Sequence, residues 1–97
     1  MEIETTTVDG GTVATVSGEA DADNCHELGA ALLGAAVGSR LHLDLSGVSF
    51  LDSSAVSELL RVQKELGKRD VPLKIVDTSP AVHRVLEITG LLEIFGI

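Results

Sequence analysis

Asp52, Ser53 and Ser54 stand together in the stretch FLDSSAVSELL, where an apolar run gives way to an acid and two hydroxyls and then resumes. An aspartate opening a helix caps it, because the carboxylate accepts from backbone N–H groups one turn ahead and sits at the positive end of the helix dipole. One cap is enough for one helix, so at least one serine hydroxyl is left without a structural task. Nucleophilic catalysis is the first chemistry to test for it. No G-x-S-x-G elbow surrounds the pair, and His26, His42 and His83 are scattered over two helices and a strand, so no base is assigned to either serine. Metal binding fails as well. In DADNCH, Asp21 and Asp23 have the alternation of a calcium loop, but Cys25 stands where a third oxygen ligand belongs and His26 where the loop glycine belongs. Catalytic residues, metal ligands and cofactor sites are therefore all expected to be absent, and Cys25 reads as a small, half-buried helix residue.

The elements that position these residues follow from periodicity. EIETTTVDGGTVATVSG holds two β-branched runs around Asp9-Gly10-Gly11, the composition of a hairpin. A first helix follows, with Asn24 and Glu27 spaced as a capping box and Leu28, Leu32 and Ala35 on one face. Leu41, Leu43 and Leu45 alternate with His42 and Asp44 as in a strand with unlike faces. DSSAVSELLRVQKELGKRD is the second helix, VPLKIVD a further strand, and Ser79-Pro80 opens a third helix that Gly90 stops. The tail LEIFGI fits either a short strand or a helical turn. The order β-β-α-β-α-β-α predicts one α/β domain over residues 1–97, a small mixed sheet packed by three to four helices.

On a wheel of about 100° per residue, Ala55, Val56, Leu59, Leu60, Val62 and Leu66 share an arc of roughly 160°. That arc is the expected core face. Ser53 falls at its edge, whereas Ser54 falls opposite it, grouped with Glu58 and Arg61. The wheel thus predicts that Asp52 caps, Ser53 borders the core and Ser54 is exposed. An exposed serine at a helix start is also common for no functional reason.

Composition narrows the partners. The 97 residues carry fifteen acids against seven Lys plus Arg, a formal charge of −8 with no basic stripe, which disfavours nucleic acid and anionic membranes. Only 2% are aromatic, with no Trp or Tyr, so stacking platforms for bases are not expected. A single cysteine excludes an internal disulfide, and neither a signal peptide nor a membrane-spanning run is evident. These features point to a cytoplasmic protein without membrane insertion.

Taken together, LHLDLSGVSFLDSSAVSELL resembles the STAS family of bacterial regulators, in particular the anti-sigma factor antagonists. The residues that carry the likeness are Asp44, Leu45, Ser46 and Gly47, then Phe50, Leu51, Asp52, Ser53 and Ser54; VSGEAD and VLEITGLLEIFGI extend it to the whole chain. The resemblance implies a non-enzymatic switch. Its unphosphorylated form binds an anti-sigma factor that is also a serine kinase, releasing a sigma factor; phosphorylation of the second serine, here Ser54, turns it off, and a serine phosphatase is expected to reverse this. It further implies an acidic residue close to that serine, here Asp21. With the wheel, it predicts a partner surface of Asp21, Asp23, Asp52, Ser53, Ser57, Glu58 and Arg61. Ala55 stands where the family usually has glycine, and its methyl can hinder a closely approaching partner backbone. The rival reading is a constitutive STAS subunit of another assembly, such as a transporter, in which Ser54 is never modified.

Overall fold

The computed structural model describes residues 1–97. Its elements are β1 (Glu2–Val8), β2 (Gly11–Ala20), α1 (Cys25–Ala35), β3 (Leu41–Leu51), α2 (Ser53–Gly67), β4 (Leu73–Thr78) and α3 (Pro80–Ile88), with a closing 3-10 turn at Glu93–Phe95. The tail therefore resolves to a helical turn. The four strands form one mixed sheet in the order β1-β2-β3-β4. β1 and β2 are antiparallel, joined through Asp9 and Gly10, and Gly10 has the positive φ (80°) that such a tight hairpin needs.

β2 runs parallel to β3, and β3 parallel to β4. Both crossovers step the same way across the sheet, so right-handed connections place α1 and α2 on the same face, where they pack against each other. Strand alternation agrees. Ala14 and Val16, Leu41, Leu43 and Leu45, and Leu73 and Ile75 are buried, whereas Val13, Thr15, His42, Asp44, Lys74 and Val76 on the opposite face are half-buried or exposed. With no Trp or Tyr, the core is filled by aliphatic side chains together with Cys25 and Phe95, the latter fully buried by the 3-10 turn.

Two helix starts match their sequence signals and one does not. The Asp52 carboxylate accepts from Ala55 N at 2.9 Å. The Ser79 hydroxyl oxygen accepts from Val82 N at 3.2 Å, with Pro80 at the first position of α3. Asn24 occupies the N-cap of α1 but makes no side-chain cap: its Oδ1 accepts from Asp21 N (2.9 Å) and its Nδ2 donates to Glu19 O (2.8 Å). The expected capping box is thus replaced by a turn that ties α1 back to the end of β2.

Thr12 is one of two buried polar residues, and its hydroxyl lies 3.0 Å from Ala35 O and 3.2 Å from Val37 O, carbonyls at the C-terminal end of α1. Thr12→Val leaves the shape almost unchanged but removes the donor from Val37 O, whereas Ala35 O keeps the Val37 N–H. It is expected to destabilise the fold by about 1–2 kcal/mol, read as a lower urea midpoint with unchanged slope.

Candidate functional site: a groove between α1 and α2

β2 and β3 end side by side. Ala20 pairs with Leu51, and Asp52 N donates to Ala20 O at 3.2 Å, so the turn leaving β2 and the start of α2 lie against each other. Irregularities in the β2–β3 register, where Gly18 has a φ of +96°, carry the two strands to this common end. Asp52 then joins the two segments: one carboxylate oxygen caps α2, and the other accepts from Ala22 N at 3.1 Å. Asp21 is held within the same turn, its carboxylate accepting from Asp23 N (3.0 Å) and Asn24 N (3.2 Å).

Beside this junction an open groove of about 460 Å³ runs between α1 and α2, lined by Ala22, Cys25, His26, Ser54, Ser57, Glu58 and Arg61. Four of the predicted residues, Ser54, Ser57, Glu58 and Arg61, therefore meet in one place. Asp21 and Asp23 flank Ala22 in the chain but do not line the groove, and Asp52 lies at its head. Ala22, Cys25 and His26 were not foreseen in it, because nothing in their own segment shows which side of α2 they will face.

The wheel misjudges the exposures. Ser53 is exposed and Ser54 half-buried, the reverse of expectation, because α1 crosses the face of α2 that the wheel leaves to solvent. Glu58, expected in water, has only 5% of its side chain exposed. It lies against Gly29 of α1 so closely that a Cβ built on Gly29 would fall 1.9 Å from Glu58 Oε1. The buried carboxylate is satisfied by Arg61, whose Nε donates to Oε1 at 3.2 Å and whose Nη2 donates to the same oxygen; His26 Nδ1 lies 3.6 Å from Oε2. A glycine inside an otherwise helical pattern was the available sign of this close approach. Near the head of the groove, Phe50 at the end of β3 is 48% exposed.

The Arg61 hydrogen bond holds the Glu58 carboxyl below its ordinary value of 4.5, outweighing burial, which pushes it up; the charges of Arg61 and His26 add to the lowering. The folded value lies below the unfolded one, so the stabilisation is complete above about pH 4.5 and is lost as pH falls through the folded value. Glu58→Gln is accordingly expected to lose Tm less steeply than the unaltered chain on acidification below that pH, as thermal scans by circular dichroism would show.

A family model described as "Mlab, STAS domain" matches residues 3–96. The chain belongs to the STAS domain family. As a STAS domain it is 32% identical over 99 residues to the anti-sigma-B factor antagonist of Staphylococcus aureus, an alignment that covers all of this chain and 92% of that protein. A shorter alignment, 33% identical over 55 residues, links 57% of this chain to 47% of the anti-sigma F factor antagonist of Paenibacillus polymyxa. Among solved STAS structures, an anti-sigma factor antagonist from Mycobacterium paratuberculosis superposes with a TM-score of 0.84 at 34% identity, over 98% of this chain and 82% of that one. Unphosphorylated SpoIIAA superposes with a TM-score of 0.79 at 23% identity, over 95% of this chain and 84% of that one, a likeness of fold. The mixed α/β fold expected from the sequence is the STAS fold. Its named relatives are regulators, and no helix of the chain is long and apolar enough to cross a membrane.

Proposed function

We propose that this STAS domain is an anti-sigma factor antagonist that binds an anti-sigma factor serine kinase when unphosphorylated, releases a sigma factor by doing so, and is switched off by phosphorylation of Ser54. The observation that carries the reading is the placement of Ser54. It stands in the first turn of α2, in a groove that also takes in Ser57, Glu58 and Arg61 of the expected partner surface, next to the Asp52 bridge that fixes that turn. The 32% identity to a named antagonist along the whole chain supports the partner class. An exposed phenylalanine beside a charged rim also suits a protein partner, since aromatic side chains anchor such interfaces and charges steer them. The surrounding acids, Glu19, Asp21, Asp23 and Asp52, call for a basic patch on the kinase.

Ser54 is proposed as the acceptor although Ser53 is the more exposed of the two. A phosphate at either position is compatible with the fold, because the helix N-terminus accepts an anion. At Ser54 the phosphate enters the groove itself and so alters the surface on which binding depends.

Affinity capture of the native protein followed by mass spectrometry tests the partner class. Recovery of an anti-sigma factor kinase, with a serine phosphatase in the phosphorylated preparation, is the expected result. Stoichiometric recovery of a transport ATPase, with Ser54 unmodified, would establish the constitutive-subunit reading instead.

A further inference from the structure

The Ser54 groove contains two nitrogen donors, the Arg61 guanidinium from α2 and the His26 imidazole from the first turn of α1, and both lie against the single buried carboxylate of Glu58. We infer that this pair, with the Ser57 hydroxyl, forms a built-in receptor for the phosphoryl group of phosphorylated Ser54, so that the modified chain binds its own phosphate across the α1–α2 groove. The inference rests on the reading of Ser54 as the modified residue and adds what becomes of the phosphate afterwards.

Geometry favours it. Ser54, Ser57, Glu58 and Arg61 are spaced i, i+3, i+4 and i+7, one stripe of α2 about 10 Å long. Long helical side chains lean towards the N-terminus, and the Arg61 guanidinium does so onto Glu58, one turn from Ser54 in the same groove. Arg61 uses Nε and Nη2 on Glu58, which leaves Nη1 and half of an exposed side chain for a second anion. His26 is 85% exposed and meets Glu58 through Nδ1, leaving Nε2 for another partner. A phosphate at residue 54 would thus be met by the free Nη1 of a guanidinium whose position the buried Glu58 already fixes, a charge-assisted contact with little further ordering to lose.

The groove also contains groups that oppose the phosphate. Glu58 from α2 and Asp52 at the head of the groove repel it, and Cys25 lies on the α1 side. Arg61 is therefore the group whose removal should be felt most.

The test is phosphorus NMR titration of the full chain carrying phosphoserine at position 54 by genetically encoded incorporation, with no kinase or anti-sigma factor present. The second ionisation of the phosphate should occur about one pH unit lower in the otherwise unaltered chain than in Arg61→Gln. His26→Gln should raise it in the same direction, and Lys64→Gln, on exposed α2 surface outside the groove, should leave it in place. Because Arg61→Gln strands the buried Glu58 charge, the comparison is repeated between Glu58→Gln and Glu58→Gln/Arg61→Gln, where a smaller gap of the same sign is expected, since the neutral amide holds the guanidinium less firmly than the carboxylate. Coincident titrations with and without Arg61, or an equal shift in Lys64→Gln, would overturn the receptor. Since no partner is present, that failure leaves the antagonist reading untouched. Conversely, a retained gap alongside unchanged kinase binding would sink the switch and leave the receptor standing.

Discussion

Phosphorylated Ser54 is expected to weaken binding of the anti-sigma factor by at least about a hundredfold, with no loss of fold. A phosphate brings roughly −1.5 to −2 charges to a rim that already holds Asp52 and the Asp21–Asp23 turn. Like charges brought together in a closed interface cost several kcal/mol, and about 1.4 kcal/mol is a factor of ten in affinity. The phosphate also draws on Arg61, one of the cations a partner would otherwise meet on this face. Within the free protein the same group is accommodated by the first turn of α2, so the two forms should melt within a few degrees of each other. Ser54→Ala should block phosphate incorporation while retaining binding, giving a permanently active antagonist. Ser53→Ala should still be phosphorylated. Calorimetric titration of both forms against the kinase, with phosphopeptide mapping, decides the matter. Equal affinities, or phosphate found on Ser53 alone, would remove the switch from Ser54.

The second large effect concerns Gly29. Alanine at this position is expected to forfeit the gain of about 1 kcal/mol that alanine brings over glycine in an open helix, and to cost up to about 1 kcal/mol more. The reason is the Glu58 carboxylate, which occupies the space of the missing Cβ while paired to Arg61. A methyl there must displace the carboxylate from the helix interface and loosen the pair. In a Glu58→Ala background the conflict disappears, and Gly29→Ala should become neutral or stabilising. Urea denaturation of the four proteins in this cycle should give a coupling of about 1–2 kcal/mol between residues 29 and 58. Additive effects within a few tenths of a kcal/mol would show that the close approach has no energetic consequence.

The same contact marks how far the sequence could be read. The hairpin at Asp9-Gly10, the Asp52 and Ser79 caps and the alternation of Leu41, Leu43 and Leu45 depend on neighbours within a few positions, and all are found in the structure. The exposures of Ser53, Ser54 and Glu58 depend instead on where α1 lies across α2. A wheel drawn for α2 alone has no information about that, and it assigned to solvent a face that another helix covers. Asn24 failed for a related reason: its side chain had two competing backbone partners, Glu19 O and Asp21 N, that appear only once the turn has formed. Gathering Ser54, Ser57, Glu58 and Arg61 into one groove was within reach because their i, i+3, i+4 and i+7 spacing is a property of one helix. Adding Cys25 and His26 required the tertiary fold.

β1 is an outermost strand of which only Ile3 is half-buried and the other residues are exposed, and its hydrogen bonds run to β2 alone. Amide protons along Glu2–Val8 should therefore exchange with solvent deuterium well before those of β3, through openings that cost only a fraction of the global unfolding free energy. The Ser54 groove lies at the end of β2 away from the hairpin turn, where Asp52 ties the turn after Ala20 to the start of α2 through Ala20 O and Ala22 N, bonds in which β1 takes no part. Fraying of the N-terminal arm is thus expected to leave the Asp52 junction in place, and the proposed partner binding at the Ser54 end should survive it.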